Sequence, residues 1–452
     1  MNIQDYIKPE YTFREIIDMQ KLPLEVKEKI TVEVLKQAFE KSNHRIAIAF
    51  SGGKDSEAVS DIIERNFPEK FKEIYCIFGN TGIEFPESLK FARKYGREHY
   101  GERFVETELL CLEEDELRYD FARQIVDELE DEGALDEILK PDGKLKGQKA
   151  LINAAKKRGY KLTNSNCFFK GHKMNFSYCI EQYGAPLMGK ATSKLDAHRI
   201  NIECFLKYSA SETKKDELKE YYDILRECKF SQHCCKLLKK KPSEKKQAEL
   251  GVDMIIKGLM ASESHSRMTS ISTRGHIFAS HRPHIKDGAF YHVSPIAMWT
   301  DDDIWEYIHK YGLEYSPLYD ITYTASDGSI QHIKRNGCIM CGTDIQFPDN
   351  HLSILRQTHP KAWESCMEHF GYSEQLYKLF RIKKNANIYD SFTDEGTKSR
   401  MIERFGDTKR LLELKPCAYD DYGELVELNG TGLDTEYDAE VFIQADGQLV
   451  MI

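Results

Sequence analysis

The chain predicts an α/β fold: a parallel twisted sheet with flanking helices, carrying a helical and small β C-terminal extension. Three observations lead there. Ile46-Ala47-Ile48-Ala49-Phe50 is an unbroken apolar run, the pattern of a strand buried on both faces. It passes through Ser51-Gly52-Gly53-Lys54-Asp55-Ser56 into Ala58-Val59-Ser60-Asp61-Ile62-Ile63, where helical spacing resumes. Glu73-Ile74-Tyr75-Cys76-Ile77-Phe78 then reads as a second buried strand, and strand, helix, strand at this spacing is a βαβ unit.

Composition bounds the function. The 452 residues, 41% hydrophobic and 11% aromatic, suffice for a sizeable core and one large domain with an appendage, or two domains. A formal charge of −10 argues against a chain that coats nucleic acid, while leaving room for a local basic face. No apolar run approaches eighteen residues, so no membrane span is expected. Met1-Asn2-Ile3-Gln4-Asp5 lacks the basic-then-apolar pattern of a signal peptide, so the expected location is cytoplasmic. There the 12 cysteines stay mostly reduced, which leaves ligation, catalysis or core packing as their uses.

Residues 12–42 show helix-like apolar spacing, divided at Pro23, which removes a donor and disfavours helix just before it. This makes 1–43 an N-terminal helical segment, 44–345 the main α/β domain and 346–452 the extension. The Gly-rich turn after the first strand aims backbone N–H groups and a helix N-terminus at a phosphate. Its alternative reading is a solvated turn. Asn80-Thr81-Gly82-Ile83-Glu84-Phe85-Pro86 follows the second strand, and ligands of such sheets bind beyond the strands' carboxyl ends, so both turns should share one crevice. Residues 110–165 are charge-rich with a helical pattern, including the acidic run Asp127–Glu132, and read as a solvated insertion. His276, His281, His284 and His292 have no metal-ligand spacing and read as a polar loop. Thr300 or Asp301 should cap a helix whose apolar residues are core. In the tail, 424–430 and 440–450 look like strands, the latter a hairpin turning at Asp446-Gly447.

The spacing of Ser51–Ser56 is not GxxxxGK[ST]. It resembles the SGGKDS loop of the PP-loop superfamily, the ATP pyrophosphatases and sulfonucleotide reductases. Asn80–Glu87 is similar to the stretch after the second strand in the phosphoadenosine phosphosulfate (PAPS) reductase family. Tyr183–Ser193, Ser231–Pro242, Gly258–Arg267, Ser294–Ile308 and Arg335–Gly342 also resemble segments of that family, and the likeness extends over about residues 44–390. It implies a nucleotide site drawn from Ser51, Gly52, Gly53, Lys54, Asp55, Ser56, Asn80, Thr81, Gly82, Glu84, Phe85, Lys190, Ser193, Glu263, Ser264 and Arg267. Lys54, Asp55 and Arg267 are the expected catalytic groups. Surface positions are the alternative for Lys190 and Arg267.

Cys234-Cys235 and Cys338-x-x-Cys341 match the set that holds a 4Fe-4S cluster in the family's cluster-bearing branch, and soft thiolates suit Fe–S. Zinc, bare thiols and a vicinal disulfide stay open as alternatives. Two departures stand out. Met260 replaces a basic residue, and the reductases' C-terminal ECGxH thiol is missing, the last cysteine being Cys417 in Lys415-Pro416-Cys417-Ala418-Tyr419. The resemblance therefore implies ATP-dependent adenylylation with Mg2+, releasing pyrophosphate and coupled to sulfur transfer, as in the enzymes of DNA phosphorothioation. Its alternatives are a PAPS or adenylyl sulfate reductase and a non-catalytic nucleotide-binding partner. A sulfur-donor protein, a thioredoxin-like reductant or a nucleic acid acceptor are the partners these readings imply.

Overall fold

β1 (Arg45–Phe50) forms where the apolar run places it, and in this computed structural model it is a central strand. The structure describes residues 3–42, 45–112, 120–144, 146–160, 173–187, 230–286, 288–345 and 347–376, with short strands at 417–419, 425–427, 441–443 and 449–451. The chain divides into two compact units, one of residues 1–108 and 239–339, the other of 109–238 and 340–452.

In the first unit, β1 joins β2 (Tyr75–Phe78), β3 (Phe104–Glu106), β4 (Val252–Lys257), β5 (Ile277–Ser280) and β6 (Phe290–Val293) in the order β3-β2-β1-β4-β6-β5. All pairings are parallel except β5 with β6, which closes one edge antiparallel. Ala47–Phe50 run in register with Tyr75–Phe78, and Ile46–Ala49 with Met254–Lys257. From β1 the chain steps outward to β2 and β3 on one side, while β4 lies on the other. The carboxyl ends of β1 and β4 thus flank the point where strand order reverses, where such sheets open a crevice.

The sheet's two faces differ. One carries the large core, with Ile48, Phe50, Phe78 and Met254 packed among Ile16 of α1 (Phe13–Gln20), Leu35 of α2 (Leu24–Phe39), Val59 of α3 (Lys54–Asn66) and Trp299. The other carries a smaller cluster built on Ala47, Ile77, Val252, Ile255 and Phe290. Pro23 stands at the N-cap of α2, separating it from α1 as the sequence predicts. Lys27 of α2, almost wholly buried, donates to Asp303 at 2.6 Å, and Asp303 completes a capping box with Thr300 at the start of helix Asp301–Tyr311. That pair fastens the helix start that presents Asp301.

In the second unit, helices Asp120–Asp131 and Gln148–Lys157 enclose a small core of Ile125, Leu129, Ile138 and Leu151. These described helices of the charge-rich stretch thus share an apolar centre of their own. Cys417–Tyr419 pairs antiparallel with Leu425–Glu427, and Val441–Ile443 with Leu449–Met451, the latter flanking the predicted turn, which itself lies outside the described residues. Among the described residues no helix is long and apolar enough to cross a membrane.

Candidate functional site

The turn after β1 is built from its own hydroxyls. Gly53 N donates to Ser51 Oγ at 3.2 Å, Ser51 N donates to Ser56 Oγ at 3.3 Å, and Ser56 Oγ donates to Gly53 O at 2.8 Å. Asn336 Nδ2 donates to the Ser51 carbonyl at 2.8 Å. Gly52 has φ +70°, and a Cβ there would lie 2.8 Å from the Ala92 Cβ, so this position requires glycine. Gly258, just past β4, is constrained differently. Its Cβ would meet the Asp55 carbonyl at 2.8 Å and Ser56 N at 2.9 Å, so the turns after β1 and β4 touch backbone to backbone.

Lys54 opens α3 and is buried. Its Nζ lies 3.2 Å from Asp55 Oδ1 and 2.6 Å from Asp301 Oδ1, and 5.4 Å from the centre of the Tyr319 ring, whose hydroxyl accepts from Lys54 N at 3.3 Å. Burial pushes the Asp55 carboxyl up; Lys54 and Arg267 pull it down and Asp301 raises it further. Arg267 pairs with Glu263 one helical turn earlier, and its pKa is lowered by burial and by the neighbouring Arg335, with Asp55 opposing. Arg335 in turn donates to the Glu263 carbonyl at 2.7 Å, and Ser264 caps helix His265–Arg274 by accepting from Arg267 N. Three cations, Lys54, Arg267 and Arg335, and three carboxylates, Asp55, Asp301 and Glu263, thus gather around the turns after β1 and β4.

The second turn is organised by Glu84. Its carboxylate accepts from Thr81 N at 3.1 Å and Thr81 Oγ1 at 2.7 Å, while Asn80 Oδ1 accepts from Gly82 N at 2.9 Å. Phe85 is buried as the residue before helix Pro86–Tyr100. The turn also seats a cysteine: Glu84 and Cys338 form an antiparallel bridge, Ile339 N donates to Ile83 O at 2.7 Å, and Thr81 Oγ1 lies 3.8 Å from Cys338 Sγ.

The other three expected ligands lie in the second unit. Tyr183–Leu187 stitches their segments together: Ser231 N donates to Ala185 O at 2.9 Å, and Gly342 N donates to Pro186 O at 3.0 Å. His233 stacks on Tyr183 with centroids 4.4 Å apart, and Cys235 begins a π-helical turn (Cys235–Lys240), a rare form that recurs at functional sites. The Cys234 thiol is raised by its hydrogen bond with Cys235, then by burial and the nearby Cys235, Cys179 and Cys341 sulfurs. Cys341 is raised by burial, with Thr343 opposing. Burial and Cys235 push Cys179 up to about 12. Among the described residues no group of three or more His, Cys, Asp or Glu is arranged to hold a metal ion as it stands. The donor chemistry nonetheless fits a thiophilic centre, since crowded, desolvated thiols ionise readily only beside added positive charge.

The structure gathers the Ser51–Ser56 turn, Glu263, Ser264 and Arg267 in one region, whereas Lys190 and Ser193 fall outside the described residues. Sequence reasoning gave no role to Tyr319, Arg335 or Asn336 and took Asp301 only as a cap. Arg335 and Asn336 sit just before the Cys338 motif, and that adjacency is the signal that could have found them. Cys179, read as packing, lies among the other thiols. The histidines differ from the expected polar loop: His276 is buried with Nδ1 on the Ser294 carbonyl, and His292 is a β6 residue.

Residues 183–343 match the model of the phosphoadenosine phosphosulfate reductase domain. A phosphoadenosine 5'-phosphosulfate reductase of Xanthomonas campestris pv. campestris is 33% identical over 89 residues, 20% of this chain and 32% of that protein. An adenosine 5'-phosphosulfate reductase of Bacillus cereus is 36% identical over 92 residues, 20% of this chain and 34% of that protein. The chain thus spans about a third of the length of the curated relatives it matches. A solved phosphoadenylyl-sulfate reductase of Candida auris, in a phosphate complex, aligns over 70% of this chain and 98% of its own at 14% identity and a TM-score of 0.30, too loose a superposition to bear on the reading. The matched span takes in both cysteine segments and the Gly258–Arg267 turn, and over these residues the chain is similar to the PAPS reductase domain.

Proposed function

We propose that the protein is a nucleotide-dependent enzyme that activates an acceptor with ATP. An acceptor oxygen attacks the α-phosphorus, the bond to the β-phosphate breaks, pyrophosphate leaves, and a sulfur nucleophile then displaces AMP. The observation that carries this is the gathering of Lys54, Arg267 and Arg335 beside a glycine-lined turn at the start of α3. Cations held there meet the charge that develops on phosphate oxygens. Asp55 and Asp301, now sharing the Lys54 ammonium, offer the hard oxygen donors that Mg2+ takes when it accompanies ATP. Cys234, Cys235, Cys338 and Cys341 would hold the iron–sulfur cluster, which when bound supplies a store of sulfur and electrons; zinc is the competing occupant.

The relatives' names favour a second reading, reduction of PAPS or adenylyl sulfate to sulfite with a thioredoxin-like reductant. The lack of an ECGxH thiol weighs against it, because sulfite release needs a nucleophilic thiolate. One pair of assays separates the two. Pyrophosphate formed from ATP and Mg2+, and abolished in Lys54→Ala, supports adenylylation. Sulfite formed from either sulfonucleotide with a thiol reductant, and no pyrophosphate from ATP, replaces it. Nucleotide binding with neither product marks a non-catalytic partner.

A further inference from the structure

On the smaller-core face of the sheet, away from the groups assigned above, lies a second concentration of positive charge. Lys257 ends β4 and His292 lies on β6, with the Lys257 Nζ 3.2 Å from His292 Nδ1. His292 Nε2 is 2.9 Å from Ser280 Oγ on the edge strand β5. Burial, then the charges of Lys257, Arg282 and Arg274, push His292 down to about 3, so its ring is neutral. A neutral ring facing an ammonium accepts at Nδ1, which leaves its proton on Nε2 to be donated to Ser280 Oγ. The Ser280 hydroxyl proton is thereby directed elsewhere.

The charges around Lys257 are unbalanced. Arg282, Arg274 and Lys240 act on it as like charges, and Glu244 as the opposing one. Glu244 is itself engaged by Arg282 at 2.9 Å. Arg274 lies over the Phe278 ring at 5.1 Å, and among the described residues it has no carboxylate partner. Arg274, Phe278 and Ser280 line a hollow of about 470 Å³ together with Pro9, Glu10 and Thr273. Glu10 and Arg274 are both exposed at this hollow, so solvent screens the charge of each alike.

We propose that this hollow at the β5 edge binds a phosphoryl oxyanion, gripped by the Arg274 guanidinium and the Ser280 hydroxyl, with Lys257 and His292 setting the direction of that hydroxyl. The planar fork of arginine pairs two oxygens at once, and the surrounding cations supply the field. Lys257 and His292 are positioning residues here. The site is independent of the adenylylation reading, because none of its four residues belongs to the Ser51–Ser56 turn or its cation set.

Inorganic phosphate is the probe, titrated into the full-length protein by calorimetry and by thermal shift, with chloride at equal ionic strength as control. Phosphate binding should persist in Lys54→Ala and weaken at least tenfold in Arg274→Gln and in Ser280→Ala. Arg274→Lys, which keeps the charge but not the fork, should fall between. Without phosphate, Lys257→Met should melt higher than wild type, since it relieves repulsion, and should gain less from phosphate. Phenyl phosphate binding more tightly than phosphate would make the ligand the phosphoryl end of a larger molecule; equal binding would make it the free ion. Binding unchanged in both Arg274→Gln and Ser280→Ala, or lost in Lys54→Ala alone, overturns the proposal.

Discussion

The turn around Lys54 and the thiols around Cys234 solve opposite electrostatic problems. In the first, cations and carboxylates are interleaved: Lys54 lies between Asp55 and Asp301, and Arg267 between Glu263 and Asp55. The protein itself supplies the counter-charge at this turn. In the second, groups of one kind crowd together, and each sulfur makes ionisation of the next harder. Nothing among the causes of the Cys234 shift opposes this. The contrast is that the charges at the turn are balanced within the fold, whereas nothing among the causes of the Cys234 shift balances its neighbouring sulfurs.

The largest expected effect tests the first half of that contrast. Lys54→Ala should lower pyrophosphate release from ATP by about a hundredfold or more, the scale of a lost charge-stabilising donor. An unchanged rate would remove the turn from the chemistry. For the second half, anaerobically purified protein should contain iron and acid-labile sulfide, and Cys234→Ser and Cys341→Ser should lose most of both. Cys366→Ser, at a buried thiol pushed up to about 12 by its surroundings, should keep them. Zinc without sulfide would assign the thiols to the other metal.

The next effect asks how far the loop's order is inherited from packing beneath it. Lys27→Met leaves Asp303 charged and without its ammonium at the start of the helix that carries Asp301. It should cost about 3–5 kcal/mol in urea unfolding. A loss below about 1 kcal/mol would mean that Thr300 alone holds the helix start.

Glu57 gives the smallest effect. It lies on α3 just past the turn, is 1% exposed, has one carboxyl oxygen without a partner among the described residues, and is pushed up to about 9 by burial, then by Asp61 and Glu314. The folded state therefore keeps a proton that the unfolded chain releases above its ordinary value of 4.5. Stability from this group is complete below pH 4.5 and declines as pH rises toward about 9. Glu57→Gln should be near neutral at pH 4 and should stabilise by a few kcal/mol at pH 8, because only the carboxyl must take up a proton on folding there. Equal effects at both pH values would show that the carboxyl is already ionised.

The legible parts of this molecule were those governed by local chemistry. Ile46–Phe50 is apolar at every position because a parallel strand is buried on both faces, and this shows in a single pass along the chain. Pro23 marked a helix boundary, and the Ser51–Ser56 turn announced itself through two glycines and its hydroxyls. β4, β5 and β6 were not anticipated. β5 and β6 are only four residues each, and Lys257 and His292 interrupt the apolar pattern. Cys179 read as packing because nothing in its own segment pairs it with another thiol.

By itself the sequence determined the α/β class, the first βαβ unit, the Gly-rich turn after β1 and the cysteine spacing, since each depends on neighbours within a few positions. Only the tertiary structure decided that Asp301 and Tyr319 meet Lys54, that Arg335 meets Arg267, and that Lys257 reaches Ser280 through His292. Those pairings join segments far apart in the chain, and register and strand order set them. A residue's neighbours along the chain carry no record of which distant side chain the sheet will bring to it.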